Sequence, residues 1–297
     1  MKNNVIAVAG ANGNLGRKII THLITSGADV RALIRKGRLA DGVHFFQDHG
    51  VKVFEVDFDN PLSLVDACLG CDVVVSALSG VRNVIVDAQT NLVNAAVEAK
   101  VKRFIPSDYC IDYRKLKSED NRNLALRREF SKILDRTPIR STSVLNGMFT
   151  DLLLKGAPVI LFKQKRIFFW GNGDQKMDFT TIDNTAEFTA AVACDNDSPR
   201  WLTVAGDVAS MHDLVGIASE VTGNVFKTFR PGGLAAFRAV IKVTRLLAPG
   251  KEEPFPAWQG MQYLYDMLSG IPKFTSLDNT RYPEIKWTKI KDVIAAG

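Results

Sequence analysis

A chain of 297 residues, 46% hydrophobic and 24% charged, can bury a sizeable core without staples, which excludes wholesale disorder, a collagen-like repeat and a disulfide mini-scaffold. A net charge of +6 hints at an anionic partner such as a nucleic acid, an anionic lipid or a phosphorylated ligand, and is equally that of a moderately basic soluble enzyme. No apolar run reaches the roughly 18 to 20 residues of a membrane helix, and the start reads as a strand rather than a secretory leader, so a cytoplasmic protein with reduced thiols is expected.

Short β-branched runs alternate with helical patterns through the first half: NVIAVAG, ADVRALIR, VKVFEVDF, CDVVVSAL, VKRFIPS and IRSTSVLN are the strands. Between them Leu15, Ile19 and Leu23 mark one helix, Asn60-Pro61 opens another, and Val84, Ala88, Leu92 and Ala95 face a third. This rhythm predicts an α/β fold: a doubly wound parallel Rossmann sheet over residues 1–150. Past Asn146, KQKRIFFWGNGDQKMDFTTID reads as strands and turns. A helix is expected from 184 to 194, and Ser210 caps another that ends at Gly223. Residues 151–297 are read as a smaller α/β substrate lobe, with segments near 180–206 returning to the Rossmann sheet and a ligand cleft between the lobes.

The segment AVAGANGNLGRKII carries the strongest chemical signal. Gly10, Gly13 and Gly16 follow the first strand and open the first helix. Gly10 permits a tight turn, Gly13 lets the backbone approach a diphosphate, and Gly16 permits close helix–strand packing. The free amides of the helix start, at Ala11, Asn12, Asn14 and Leu15 as well as the glycines, suit phosphate oxygens. A fold that prefers NAD ends its second strand in a carboxylate, whereas this one ends in Arg35, Lys36 and Arg38. Arg35 can fork onto a 2′-phosphate and Lys36 adds a point charge, so NADP(H) is the expected cofactor. Asp57 either borders the adenine or caps the turn that follows it.

Together AVAGANGNLGRKI, the cationic LIRKG, VVVSAL and VKRFIPSDY resemble the NmrA-like and isoflavone-reductase-like family, an atypical branch of the short-chain dehydrogenase/reductases, over about residues 1 to 225. The resemblance implies an oxidoreductase that passes hydride from NADPH to a small aromatic, quinone or carbonyl compound. It equally admits a non-catalytic NADP(H)-binding regulator that acts through protein contacts. Within it, Ala77 and Leu78 of VVVSAL and Ser107 border the cofactor, and Asp108 and Tyr109 border the reaction space. Active members carry a lysine where the register places Arg127. A guanidinium stays protonated, so Arg127 cannot be a base, yet it can clamp an anion or a developing oxyanion. Tyr109 or a water is the expected proton donor. Tyr113 and Lys117 have the spacing of the short-chain Tyr-x-x-x-Lys pair but fall in a polar segment too close to Ser107, and are read as coincidence.

Other features are read as structural. Cys68 and Cys71 sit at a helix-to-strand junction with no second pair to complete a zinc set. The four histidines show no metal spacing. Phe149, Phe168, Phe169 and Trp170 are either core or an aromatic pocket, and Trp258, Met261, Tyr263 and Tyr265 are candidates for a lid or wall. Residues 232–250 form a helix with Arg238, Lys242 and Arg245 along one face, beside the apolar surface of Phe237, Ile241 and Leu247. That face is either solvated or meets a membrane surface or partner protein. A small-molecule substrate is the expected partner, without nucleic acid or membrane.

Overall fold

The computed structural model of the protein describes residues 4–38, 43–117 and 121–297. Two compact units are present. One comprises Met1–Tyr109, Leu126–Val144 and Thr185–Leu202; the other comprises Cys110–Ala125, Leu145–Asn184 and Thr203–Gly297.

The first unit is built on β1 (Val5–Ala9), α1 (Asn14–Thr25), β2 (Asp29–Arg35), α2 (Val43–Asp48), β3 (Lys52–Val56), α3 (Pro61–Cys68), β4 (Val73–Ser76), α4 (Gln89–Glu98), β5 (Arg103–Ile105), α5 (Arg122–Leu134) and β6 (Arg140–Ser141). The six strands pair in parallel in the order β3-β2-β1-β4-β5-β6. Ile6, Ala7, Val8, Val74 and Val75 are fully buried, as near-continuous apolar strands covered on both faces require. The order reverses beside β1, so the carboxyl ends of β1 and β4 flank the crevice where such sheets take ligands. Asn60 caps α3 by accepting from the amides of Leu62 and Ser63 at 3.1 and 3.4 Å, with Pro61 at the first helical position.

The chain continues through β7 (Ser143–Leu145), β8 (Met148–Phe149), β9 (Ile160–Leu161), β10 (Arg166–Phe168), β11 (Met177–Thr180), α6 (Ile182–Cys194), β12 (Trp201–Thr203), β13 (Asp207–Ala209), α7 (Met211–Thr222), β14 (Lys227–Phe229), α8 (Leu234–Leu247), α9 (Ala257–Leu268) and α10 (Ile290–Ala296). Most of α6 and β12 belong to the first unit. The buried guanidinium of Arg103 on β5 fixes that return: it donates to Ala193 O at 2.8 Å and also to Asp195 O and Ser198 Oγ, at the carbonyl end of α6.

The second unit holds two three-stranded sheets, β14-β10-β9 and β13-β11-β8. Helix α7 carries a reciprocal capping box between Ser210 and Asp213 and ends on left-handed Gly223, as its sequence predicts. Two buried carboxylates of this unit are matched: Asn121 Nδ2 donates to Asp266 Oδ2 at 2.7 Å, and Lys273 Nζ donates to Asp178 Oδ1 at 2.5 Å.

Cys68 and Cys71 are buried thiols in the core of the first unit. Burial first, and then neighbouring Cys71, push the Cys68 thiol up to about 12, with Arg31 opposing. A thiol whose pKa is higher folded than unfolded favours the native state while protonated. Its contribution is therefore present below the ordinary value of 9.0 and lost as pH rises towards 12. Stability to urea is expected to fall by up to about 4 kcal/mol over that window. In Cys68→Ala the decline will be shallower; equal slopes for the two proteins would exclude the thiol as its source.

Candidate functional site

The turn between β1 and α1 is closed by a bond from Gly13 N to Gly10 O at 3.0 Å. Gly10 has φ +77°, and a Cβ there would lie 2.6 Å from Ala77 O at the end of β4. A Cβ at Gly16 would overlap the Gly10 carbonyl oxygen. Two of the three glycines are thus demanded by backbone packed against backbone. Gly13 is exposed and stands at the N-cap with no side-chain cap on the helix. The first intrahelical bond runs from Arg17 N to Gly13 O at 2.9 Å, so the amides of Asn14, Leu15 and Gly16 precede it at the positive end of a twelve-residue helix. Ala11 is fully buried beneath the turn.

The end of β2 lies beside this turn. Arg35, Lys36, Gly37 and Arg38 are all exposed. Lys36 N donates to Val56 O at 2.9 Å, and the Asn12 side chain donates to Arg38 O at 2.7 Å. Asn12 therefore fastens the cationic turn to the glycine turn, a role its place in the motif does not announce. Residues 39–42 lie outside the described set. Asp57 is exposed and its Oδ1 accepts from Asp59 N at 3.0 Å, which is the turn-capping alternative for this residue.

At the end of β5 the chain is buried. Ser107 donates its hydroxyl to Leu78 O at 2.6 Å and its amide to Gln89 Oε1 at 3.0 Å, which ties the ends of β4 and β5 together. Gln89 was invisible to motif reading because it bears no signature beyond its place at the start of α4. Asp108 accepts from Ser143 Oγ at 2.7 Å, and Ser143 Oγ in turn accepts from Arg200 Nη1 at 2.6 Å. Tyr109 is buried, and its hydroxyl has no well-formed hydrogen-bond partner. Burial pushes the phenol well above its ordinary value of 10.0; the nearby Thr189 hydroxyl eases the shift and Asp108 adds to it. Arg127 on α5 is only 7% exposed, so it is not a solvated helix residue.

Other candidates separate. Tyr113 is buried in a short 3₁₀ turn, Tyr113–Lys115, while Lys117 is exposed, so the four-residue spacing does not place them on one α-helical face. Residues 118–120 of the same segment lie outside the described set. No group of three or more metal-ligating side chains occurs among the described residues. In the second unit a cleft of about 750 Å³ is lined by Phe169, Asn172, Gln175, His212, Arg230 and Leu234. Of Phe149, Phe168, Phe169 and Trp170, Phe169 lines this cleft, while Trp170 stacks on Phe237 with centroids 5.2 Å apart. Trp258 is core rather than lid: it is buried, its indole donates to Pro249 O at 2.9 Å, and Arg122 and Arg245 lie over its ring.

The model of the NmrA-like family matches residues 2–281. The chain belongs to the NmrA-like family. Among its NmrA-like relatives, the probable pinoresinol-lariciresinol reductase 3 of Arabidopsis thaliana is 25% identical over 314 residues, covering 99% of this chain and 97% of its own length. The structure of AtPrR2 with NADP+ and (+)pinoresinol superposes with a TM-score of 0.86 at 23% identity, over 100% of this chain and 99% of that one. The Citrobacter sp. triphenylmethane reductase complexed with NADP(H) gives a TM-score of 0.72 at 20% identity, over 98% and 99% of the two chains. The Rossmann architecture read from the strand–helix rhythm is that of this NmrA-like group.

Proposed function

We propose that the protein is an NADPH-dependent reductase that delivers hydride to a small aromatic, quinone or carbonyl compound. The observation that carries this reading is the cationic turn of Arg35 and Lys36, held by Asn12 against the glycine turn. It sits beside a helix start whose amides are not capped by any side chain. That pairing fits a diphosphate and a 2′-phosphate, and a Cβ at Gly10 or Gly16 would collide with the backbone that shapes the turn. The relatives' names and bound cofactors point the same way.

In this reading the turn from Gly10 to Gly16 holds the diphosphate, Arg35 and Lys36 hold the 2′-phosphate, and Asp57, Ala77, Leu78 and Ser107 border the rest of the cofactor. When bound, NADPH supplies the hydride. The chain supplies orientation and charge. The anchored hydroxyl of Ser107 keeps the ends of β4 and β5 in register. Asp108, held by Ser143, positions the residue after it. Arg127 carries a permanent positive charge for a developing anion on the substrate. Tyr109 keeps its proton at neutral pH and gives it up to the reduced product.

The protonated phenol is the working form, so activity through Tyr109 is lost only as pH rises through a pKa above 10.0. The pH–rate profile is therefore expected to have no alkaline limb between about 7 and 9. An alkaline limb inside that range would exclude Tyr109 as donor. A second reading, an NADP(H) sensor without turnover, is favoured by Arg127, whose guanidinium cannot act as a base. Cofactor titration combined with turnover separates the two. The reductase binds NADPH and consumes it with a quinone or an aromatic carbonyl compound. The sensor distinguishes NADPH from NADP+ and turns over nothing in a broad panel.

A further inference from the structure

Helix α8 buries Phe237 and Ile241 and turns its opposite side outward. That outward side is apolar. Val240, Val243, Leu246 and Leu247 are 37, 56, 81 and 78% exposed, and the three alanines at 235, 236 and 239 are exposed as well. An amphipathic helix of a globular protein normally shows water its polar face; α8 shows water a second apolar face. Phe229 of β14, just before it, is 51% exposed, and Phe255 of the loop that follows is 60% exposed. Through the chain of aromatic contacts Phe229–Phe168–Trp170–Phe237, β14 and α8 share one packed body.

Charge decides what such a face meets. Residues 225–250 contain five cations, Lys227, Arg230, Arg238, Lys242 and Arg245, and no Asp or Glu; Lys251, Glu252 and Glu253, which lead to Phe255, bring the local charge to +4 against +6 for the whole chain. All five cations are exposed. Arg238, Lys242 and Arg245 recur at helical spacing and flank the apolar arc on one side. A second copy of the chain would bring the same positive surface against itself and be repelled. An anionic bilayer offers both an apolar interior for the leucines and negative head groups for the cations. Among the described residues no helix is long and apolar enough to cross a membrane, so contact would be made by lying on the surface.

We propose that α8, with Phe229 and Phe255 beside it, docks the protein on an anionic lipid surface. This surface belongs to the second unit, shares no residue with the glycine and cationic turns, and stands whether or not the reductase reading holds. The test is co-sedimentation of the full chain with vesicles of phosphatidylcholine alone and with one-third phosphatidylglycerol, at moderate salt. The protein will pellet with the anionic vesicles, less so as salt is raised. Arg238→Gln with Lys242→Gln will lower the partition coefficient roughly 30-fold. Leu246→Ser with Leu247→Ser will lower it at least as far, each variant keeping its circular dichroism and melting temperature. Failure of the wild type to bind anionic vesicles, or equal sedimentation with both compositions, overturns the proposal. So does a dimer in light scattering that the leucine variant splits, which would assign the face to a second copy.

Discussion

Replacing Arg35 and Lys36 together by serine will weaken NADPH binding by roughly 150- to 25,000-fold and leave NADH binding nearly unchanged. A hydrogen bond to a charged group contributes about 1.5 to 3 kcal/mol, and each side chain loses one such contact with a dianionic 2′-phosphate that NADH lacks. Both side chains are exposed, so screening by salt places the result towards the lower end at physiological ionic strength. The fold should tolerate the change, because the turn is held by backbone and by Asn12 rather than by the two cations: Lys36 N bonds to Val56 O, and Asn12 to Arg38 O. Fluorescence titration with both cofactors measures the effect. Equal losses for NADPH and NADH would mean that the cations do not meet the 2′-phosphate.

Gly16→Ala will act through sterics rather than charge. An alanine inside a helix ordinarily gains about 1 kcal/mol over glycine. Here the added Cβ would overlap the Gly10 carbonyl oxygen and come within 2.9 Å of the carbonyl carbon, and backbone cannot step aside as a flexible side chain can. Relieving the overlap moves the first turn of α1 by about 1 Å, a misplacement of the size that costs about 100-fold in catalytic efficiency. The clash therefore outweighs the propensity gain, and kcat/KM for NADPH should fall by about 100-fold with some loss of stability. Gly27→Ala is the control. Unlike helical Gly16 it has positive φ, +76°, but nothing lies within 4 Å of its Cβ, so the change should cost a little stability through backbone strain and leave cofactor binding alone.

The features that support these expectations were legible because they are local. A strand, three glycines, a helix start and a cationic strand end lie within the first 38 residues, and each follows from spacing alone. The helix over 211–222 was equally readable, since Ser210, Asp213 and Gly223 act within one helix. What stayed hidden depends on partners far along the chain. The excursion of residues 110–125 into the second unit is held by Lys115 Nζ on Lys273 O and by Asn121 on Asp266, contacts across 158 and 145 positions. The burial of Arg127 could not be told from its polar surroundings in NLALRREF, and no pattern marks Gln89 as the partner of Ser107. Helix α8 is instructive in the other direction. Its alternation of apolar residues and cations looks like an ordinary packed helix, but burial claims only the side of Phe237 and Ile241 and leaves Leu247, expected beside them, in water.

The most direct measurement is a single turnover with NADPH deuterated at the transferable position of the nicotinamide, using aromatic, quinone and carbonyl acceptors with pinoresinol among them, read by mass spectrometry of the products. A reductase delivers one deuterium to carbon of a reduced product in step with cofactor oxidation, and Arg35→Ser/Lys36→Ser slows that transfer at limiting cofactor. Tight binding of the deuterated cofactor with no labelled product from any acceptor would contradict the reductase and leave the sensor.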